Sequence, residues 1–314
     1  MESYDVIVVG LGAMGSATTY HLAKRGRNVL GLDMYDPGHS HGSSHGEHRM
    51  IRNSSVQEDG YVPLANRAFQ LWRLLEHESS KNILKILGEV RLSYESEDKK
   101  YGITREKIAA DPYRELLSEE ELAERFPGFR LYQGMIATYE AEAGYLRPEV
   151  GIASHLEQAV WNGAKIKRPE EVTGWSIDGR GVKVETRADI YRADRLVITT
   201  GPWAEELLKQ RSLPLTVTRI VNGYFNPTKP EYWKAENGAP NFLLTVPEGG
   251  FYGLPSDEGI GLKIGLHTGE PAGSARTVRR EIDDEEIDFL RGVLDRYMPG
   301  ASGPETKRLT CLYT

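Results

Sequence analysis

The chain has 314 residues, 39% of them hydrophobic, with 46 acidic against 39 basic side chains and a formal net charge of −7. That balance argues against a nucleic-acid partner, whose phosphates call for a basic face, and a single cysteine excludes an internal disulfide framework or a multi-thiolate metal centre. No apolar run reaches the length of a membrane helix and the first residues run straight into a strand, so a soluble cytoplasmic protein of two domains, or one large one, is expected.

The stretch from Asp5 to Asp33 reads as strand, turn, helix and strand. Apolar Val6–Val9 is followed by Gly10, Gly12 and Gly15 in the spacing G-x-G-x-x-G, by a helical pattern from Met14 to Arg25, and by a second apolar run, Val29–Leu32. Gly10 permits the tight turn, Gly12 lets backbone approach a pyrophosphate, and Gly15 lets the helix pack close to the strand. The helix N-terminus offers free N–H groups to phosphate, and Asp33 stands where a carboxylate accepts from ribose hydroxyls. The pattern points to a dinucleotide and leaves NAD and FAD both open.

A loop rich in Gly, Ser and His follows. His39, His41, His45 and His48 invite a metal reading, but no helix presents them in pairs and no familiar ligand spacing surrounds them, so no metal site is expected. Small residues, Ser43 among them, let backbone lie against a flat ligand, and Arg49 and Arg52 project either as cations near that ligand or as plain surface charges. Tyr61–Glu78 has the spacing of an amphipathic helix packed on the sheet, with Trp72 in the core. Gly88–Tyr94 alternates as a strand. The charged piece from Glu95 to Arg125, a solvated face, holds a helix capped by Ser118 with Glu121 as its capping-box partner.

A helix is expected over Glu149–Asn162, then short strands at Ala164–Ile166, Val172–Ile177, Gly181–Thr186 and Ile190–Ala193. The run from Arg195 to Gly201 reads as a separate, fully buried strand, with Gly201 at its carboxyl end as a second point of close approach to a dinucleotide and Trp203 opening a helix. Leu215–Tyr224 crosses back, and the remainder is β-rich: Phe242–Val246, Phe251–Pro255, Gly261–His267 and Leu309–Thr314, interrupted by a helix over Thr277–Tyr297. Lys263 and His267 share one face of a strand by the period of two. A strand lysine is most often exposed, and a free cysteine such as Cys311, in apolar company, most often fills core.

The segments DVIVVGLGAMG with Asp33, GSSHGEHRMIR, YVPLANRAFQLW, LVITTGPW, FYGLP, GLKIGLHT and CLYT, collinear along the whole chain, resemble the monomeric sarcosine oxidase and N-methyltryptophan oxidase family of FAD-dependent amine oxidases. The resemblance implies an α/β fold, α+β overall. A Rossmann-like FAD-binding domain would span residues 1–84 and 144–216, and an antiparallel β-rich substrate domain residues 85–143 and 217–314. It implies FAD over NAD, with Asp33 on the adenosine ribose, Val172 against adenine through its backbone, and Cys311 linked covalently to the flavin. It further implies Arg49 near the flavin, Arg52 on the substrate carboxylate, Lys263 as the oxygen-activating cation, and His267 and Tyr252 contacting or orienting substrate. The function implied is oxidation of a secondary amino acid, N-methylated or cyclic, with O2 as the second substrate and hydrogen peroxide as product.

An NAD-dependent dehydrogenase leaves the arginine loop and the Lys263 strand without a purpose. Relatives in the family continue past the residue matched by Cys311, whereas this chain stops at Thr314. The expectation is therefore a fragment or a natural truncation, monomeric, with a sheet edge open to association, and a catalytically silent FAD-binding or interaction module stands as the alternative.

Overall fold

The computed structural model describes residues 3–53, 59–95 and 104–314; part of the charged stretch expected from Glu95, residues 96–103, lies outside the described residues. The chain opens with β1 (Ser3–Val9), α1 (Ala13–Lys24) and β2 (Val29–Leu32). After β3 (Arg49–Ile51) comes α2 (Val62–Ser79), begun by a proline in its first turn and ended by Ser80 in the left-handed region. Then follow β4 (Leu84–Ile86), β5 (Glu89–Tyr94), α3 (Arg105–Ala110), β6 (Glu115–Leu117) and α4 (Glu119–Arg125). The capping box of Ser118 and Glu121 closes the N-terminus of α4 as its sequence anticipates.

The middle of the chain gives β7 (Met135–Glu140), β8 (Gly144–Leu146), α5 (Pro148–Trp161), β9 (Lys165–Lys167), β10 (Val172–Asp178), β11 (Gly181–Thr186), β12 (Ile190–Ile198) and α6 (Ala204–Leu208). The last third gives β13 (Thr218–Phe225), α7 (Pro230–Trp233), β14 (Asn241–Val246), β15 (Gly249–Leu254), β16 (Leu262–Leu266), β17 (Glu270–Pro271), α8 (Asp284–Tyr297) and β18 (Glu305–Tyr313).

One sheet runs β10-β11-β12-β1-β2-β9. Its β12, β1, β2 and β9 are parallel, so their carboxyl ends open on one edge, where α/β sheets take ligands. Val6 and Val8 pack beneath α1 and α5 with Tyr20, Ile152 and Leu156, while Ile7 and Val9 pack on the other face with Leu30, Val184 and Tyr191. Burial on both faces is what makes β1 an unbroken apolar run.

A second sheet joins nine strands in the order β17-β13-β16-β15-β14-β5-β7-β6, with β18 on the other side of β13. Its two faces differ in kind. Phe242, Leu244, Phe251, Leu262, Ile264, Val90 and Leu92 point into the largest core, covered by Ile287, Leu290 and Leu294 of α8. The opposite face carries a polar row: Asn222, Gly265, Tyr252, Leu243 and Arg91 stand side by side on five neighbouring strands. A third, small sheet has the order β3-β8-β4.

Several expectations are corrected. The runs Ile190–Ala193 and Arg195–Gly201 share one strand, β12, which ends at Ile198, and it is not fully buried: Asp194 and Arg195 are exposed. Helix α2 packs chiefly on α5 rather than on a large sheet, with Leu75 its only buried residue; Trp72 is half-buried against His155, at 5.1 Å between ring centroids, instead of lying in the core. The helix expected from Thr277 begins at Asp284, because Asp283 and Glu286 form a capping box there.

Candidate active site

Beyond the carboxyl ends of β1, β2 and β12 lies a cavity of about 730 Å³. Gly10, Gly12, Asp33, Ser43, Val172, Gly201 and Trp203, seven of the residues singled out in the sequence, line it. Gly15 lies just beneath, where a Cβ would stand 1.7 Å from the Gly10 carbonyl oxygen and 2.6 Å from Thr199 Oγ1. Gly10 itself has φ +87°, and a Cβ there would meet Thr199 O at 2.6 Å, so only glycine lets β1, the turn and β12 meet this closely. The Asp33 carboxylate accepts from Leu11 N at 2.6 Å and Tyr35 N at 2.9 Å, so it also braces the glycine turn, a role the spacing alone did not show.

Three polar atoms of residues lining this cavity, Glu170 Oε1, Thr200 Oγ1 and Trp203 Nε1, are buried with no hydrogen-bond partner. Buried polar groups in native proteins are almost always paired, so these are places kept for a ligand. A dinucleotide fits the lining: glycine backbone and a helix N-terminus for phosphates, a carboxylate for ribose, and an apolar wall.

Ser43 links the cavity to the polar face of the second sheet. Its carbonyl oxygen accepts from Arg49 Nη2 at 2.7 Å and lies 3.8 Å from Cys311 Sγ, and Arg49 Nη2 is itself 3.8 Å from that sulfur. Cys311 is buried, at 2% exposure, as core filling would also be, but its neighbours are a guanidinium and a carbonyl.

Lys263 is not the exposed strand lysine that base expectation favours; it is 2% exposed. Its ammonium donates to Gly46 O at 3.0 Å and His48 O at 3.2 Å. Gly46 O also receives Tyr224 Oη at 3.0 Å, and Glu149 Oε1 receives the amides of Gly46 at 2.6 Å and Glu47 at 3.2 Å. Burial, with the nearby Arg49 charge, pulls Lys263 down to about 7. Burial likewise brings His45 and His48 down to about 4, so both imidazoles are neutral.

Tyr252 donates to Asn222 Oδ1 at 2.7 Å, and burial pushes its hydroxyl well above the ordinary range. The Tyr252 and His267 rings stand perpendicular at 6.4 Å, and His267 faces Tyr313 at 5.7 Å. His267 is exposed at the mouth of this face; partial desolvation, then the charges of Arg52 and Arg91, lower its pKa. The structure therefore brings Arg49, Cys311, Lys263, Tyr252 and His267 onto one face. Arg52 is exposed and touches this group only through its charge.

Sequence reasoning missed Asn222, Tyr224, Glu149 and Arg91. Alternation along β13 and β5 marks the first, second and fourth as one-sided polar positions, and that signal was available. Glu149 had no such signal, since it reads as an ordinary first-turn acid of a helix. The four loop histidines separate: His39 and His41 stack with Tyr35, while His45 and His48 turn inward. Among the described residues, no group of three His, Cys, Asp or Glu side chains is placed to hold a metal ion, and no helix is long and apolar enough to cross a membrane.

A family model described as FAD dependent oxidoreductase matches residues 5–314. The chain is similar to a monomeric sarcosine oxidase of Streptomyces avermitilis, 34% identical over 315 residues that cover 99% of this chain and 82% of that protein. A monomeric sarcosine oxidase of a Bacillus species is 36% identical over 316 residues, covering 99% and 81%. An N-methyl-L-tryptophan oxidase of Yersinia pestis is 32% identical over 304 residues, covering 95% and 80%. Among solved structures, the open form of NikD, an unusual amino acid oxidase essential for nikkomycin biosynthesis, superposes with a TM-score of 0.85 at 24% identity, covering 99% of this chain and 82% of that one. At that identity the likeness is one of fold.

Proposed function

The chain belongs to the FAD dependent oxidoreductase family, and on that footing we propose that it oxidises the C–N bond of a secondary amino acid, N-methylated or cyclic. The amine loses two electrons and two protons to become an imine, which water hydrolyses, and O2 takes the same electrons and protons to become hydrogen peroxide. The observation that carries this reading is Lys263: a buried ammonium, fixed by two loop carbonyls, on the sheet face that also holds Arg49, Cys311 and Tyr252.

FAD, when bound, supplies the two-electron acceptor that side chains lack. Gly10, Gly12 and Gly15 with the start of α1 would hold its pyrophosphate and Asp33 its ribose. Val172 would meet adenine through its main chain, with Ser43, Gly201, Trp203 and Arg49 completing the cradle. Cys311 is the proposed point of covalent attachment, supported by its burial beside Arg49 and Ser43.

The chain's own groups do the rest. Arg52 offers a guanidinium that binds a carboxylate through two parallel hydrogen bonds, which fixes the α-carbon. Tyr252 keeps its proton and donates it in a hydrogen bond to Asn222 Oδ1, so the lone pairs of its oxygen are left to accept from the substrate N–H. His267, neutral, supplies a second polar wall. Lys263, while protonated, stabilises the negative charge that O2 acquires as it is reduced.

The test is direct. The purified chain, anaerobic and loaded with FAD, is expected to lose its yellow colour on addition of an N-methyl or cyclic amino acid. Air should restore the colour with one peroxide formed per amine consumed. A yellow protein that no such amine bleaches would overturn the oxidase reading and leave a silent FAD-binding module.

A further inference from the structure

Two guanidinium groups near this face, those of Arg52 and Arg91, make no ion pair with a carboxylate of the chain among the described residues. Arg52 is exposed, and its polar contact is Met50 Sδ, 3.8 Å from Nη1. Arg91 stands on β5, in the polar row, two strands from Tyr252 with Leu243 between them. At about 4.8 Å per strand, its Cα is roughly 10 Å from that of Tyr252, a span an arginine side chain crosses in large part.

Arg91 Nε is buried and has no hydrogen-bond partner. None of the acids around it makes a hydrogen bond to it. Glu89, on the same face two residues back, binds Arg114 at 2.7 Å through Oε1, and its Oε2 is buried without a hydrogen-bond partner. Glu140 binds Arg114 at 3.1 Å and the amide of Asn53 at 2.6 Å, and Glu142 accepts from Asn53 Nδ2 at 3.0 Å. Burying a guanidinium without a partner is unfavourable, and chains do not keep one idle. Burial, opposed by Glu89 and reinforced by Arg114 and Arg52, draws Arg91 down to about 10, so it remains a cation at neutral pH. His267, whose pKa is lowered by partial burial and then by the charges of Arg52 and Arg91, is a common neighbour of the two cations.

We infer that Arg91 receives a second carboxylate of the substrate, so that the preferred class is a secondary amino acid carrying two carboxylates, the α-carboxylate on Arg52 and the distal one on Arg91. The inference rests on the amine-oxidase reading above, which puts the α-carboxylate on Arg52. Leu243, half-exposed between Arg91 and Tyr252, forms the apolar floor for the methylene groups that separate the two anions.

Two pairs of probes, matched in carbon count and differing in one carboxylate, decide the matter on the FAD-loaded full chain. Binding of glutarate and pentanoate is measured by titration calorimetry, and oxidation of N-methyl-L-glutamate and N-methyl-L-norvaline by peroxide release. The expected result is a preference of at least about tenfold for the dianion in both, the factor a charge-assisted hydrogen bond supplies. In Arg91→Met both ratios should fall to within about threefold of unity, and Arg91→Lys should restore part of the preference.

A wild-type ratio near unity, or an unchanged ratio in Arg91→Met, overturns the inference. If Arg91→Met fails to give a cooperative thermal melt, the wild-type and Arg91→Lys ratios decide. A glutarate preference with no amine oxidised would remove the oxidase reading and leave the dianion site standing. Oxidation of N-methyl-L-norvaline without a dianion preference would remove this inference alone.

Discussion

Glu149 holds Gly46 by its amide: the carboxylate on the first turn of α5 accepts from Gly46 N at 2.6 Å and from Glu47 N at 3.2 Å. Both residues lie at positive φ, +98° for Gly46 and +58° for Glu47, and a glutamate there is strained unless something holds it. The turn in turn presents the Gly46 carbonyl to Lys263 at 3.0 Å. Replacing Glu149 by Ala is expected to cost about 1.5–3 kcal/mol of stability, the value of hydrogen bonds to a charged group. It should also slow reaction with O2, because the ammonium loses its fixed cradle. A denaturant midpoint and an oxygen rate both equal to wild type would remove Glu149 from this role.

Lys263 gives a pH dependence with a definite sign. Its ammonium has a folded-state value of about 7 against an ordinary 10.5, through burial and then Arg49, with Cys311, Glu47 and Glu149 opposing. The unfolded chain therefore binds the extra proton between those values, and stability rises with pH across that interval. Below about pH 7 the buried ammonium destabilises by its full amount. The O2 reaction should run the other way and slow as pH rises through the region where the cation is lost. Lys263→Met is expected to lose both limbs and to slow oxygen reduction by roughly a hundredfold or more. Stopped-flow reoxidation across pH, with denaturant melts of both proteins, checks the pair.

Cys311 is expected to keep flavin in the protein pellet after acid precipitation, while Cys311→Ala releases it. Arg49, at 3.8 Å from the sulfur, should matter to the linkage as well, since it also donates to Ser43 O and so fixes the loop against which the sulfur lies. Arg49→Met should therefore lower the fraction of flavin that survives acid. Complete release of flavin from the wild-type protein would show that the linkage does not form.

Two glycines separate close approach from ordinary helix propensity. Gly15→Ala would place a Cβ 1.7 Å from Gly10 O, pushing α1 off β1, and should weaken FAD binding by at least about tenfold. Gly292, on α8, has nothing within 4 Å of its added Cβ and ordinary φ. Gly292→Ala should stabilise the chain by about 0.5–1 kcal/mol and leave FAD affinity unchanged. Flavin fluorescence titration and thermal melts read both.

The stretch from Asp5 to Asp33 was legible because each of its steps is local: an apolar run, a glycine spacing, a helical period and a terminal acid. In the second sheet β5, β14, β15, β16 and β18 were legible as elements for the same reason, whereas β6, β7 and β17 were not anticipated and β13 was read only as a crossing. Their order was not, since pairing β14 with β5 brings together residues far apart in the chain, and no local pattern encodes that register. Lys263 looked like a surface lysine because its burial comes from the loop of Gly46 and His48, 217 and 215 positions upstream, a separation set by the fold and not by the strand. The start of α8 was misplaced because the charges from Thr277 onward suit a helix in composition, while the capping box at Asp283 decides where it begins. Arg91 was visible as a charge in a strand, yet what it lacks, a partner, exists only in three dimensions.

The second sheet carries the largest apolar core on one face and the side chains proposed to act on substrate on the other, along the same strands. On β15 and β16, Phe251 and Ile264 belong to the first, Tyr252, Lys263 and Gly265 to the second. A mutational scan through these strands would therefore read out stability and selectivity at alternate codons. Selection for a new substrate can rewrite one set while the other keeps the protein folded, so a library randomised at every second position of β5, β14 and β15 would spend its diversity on recognition alone.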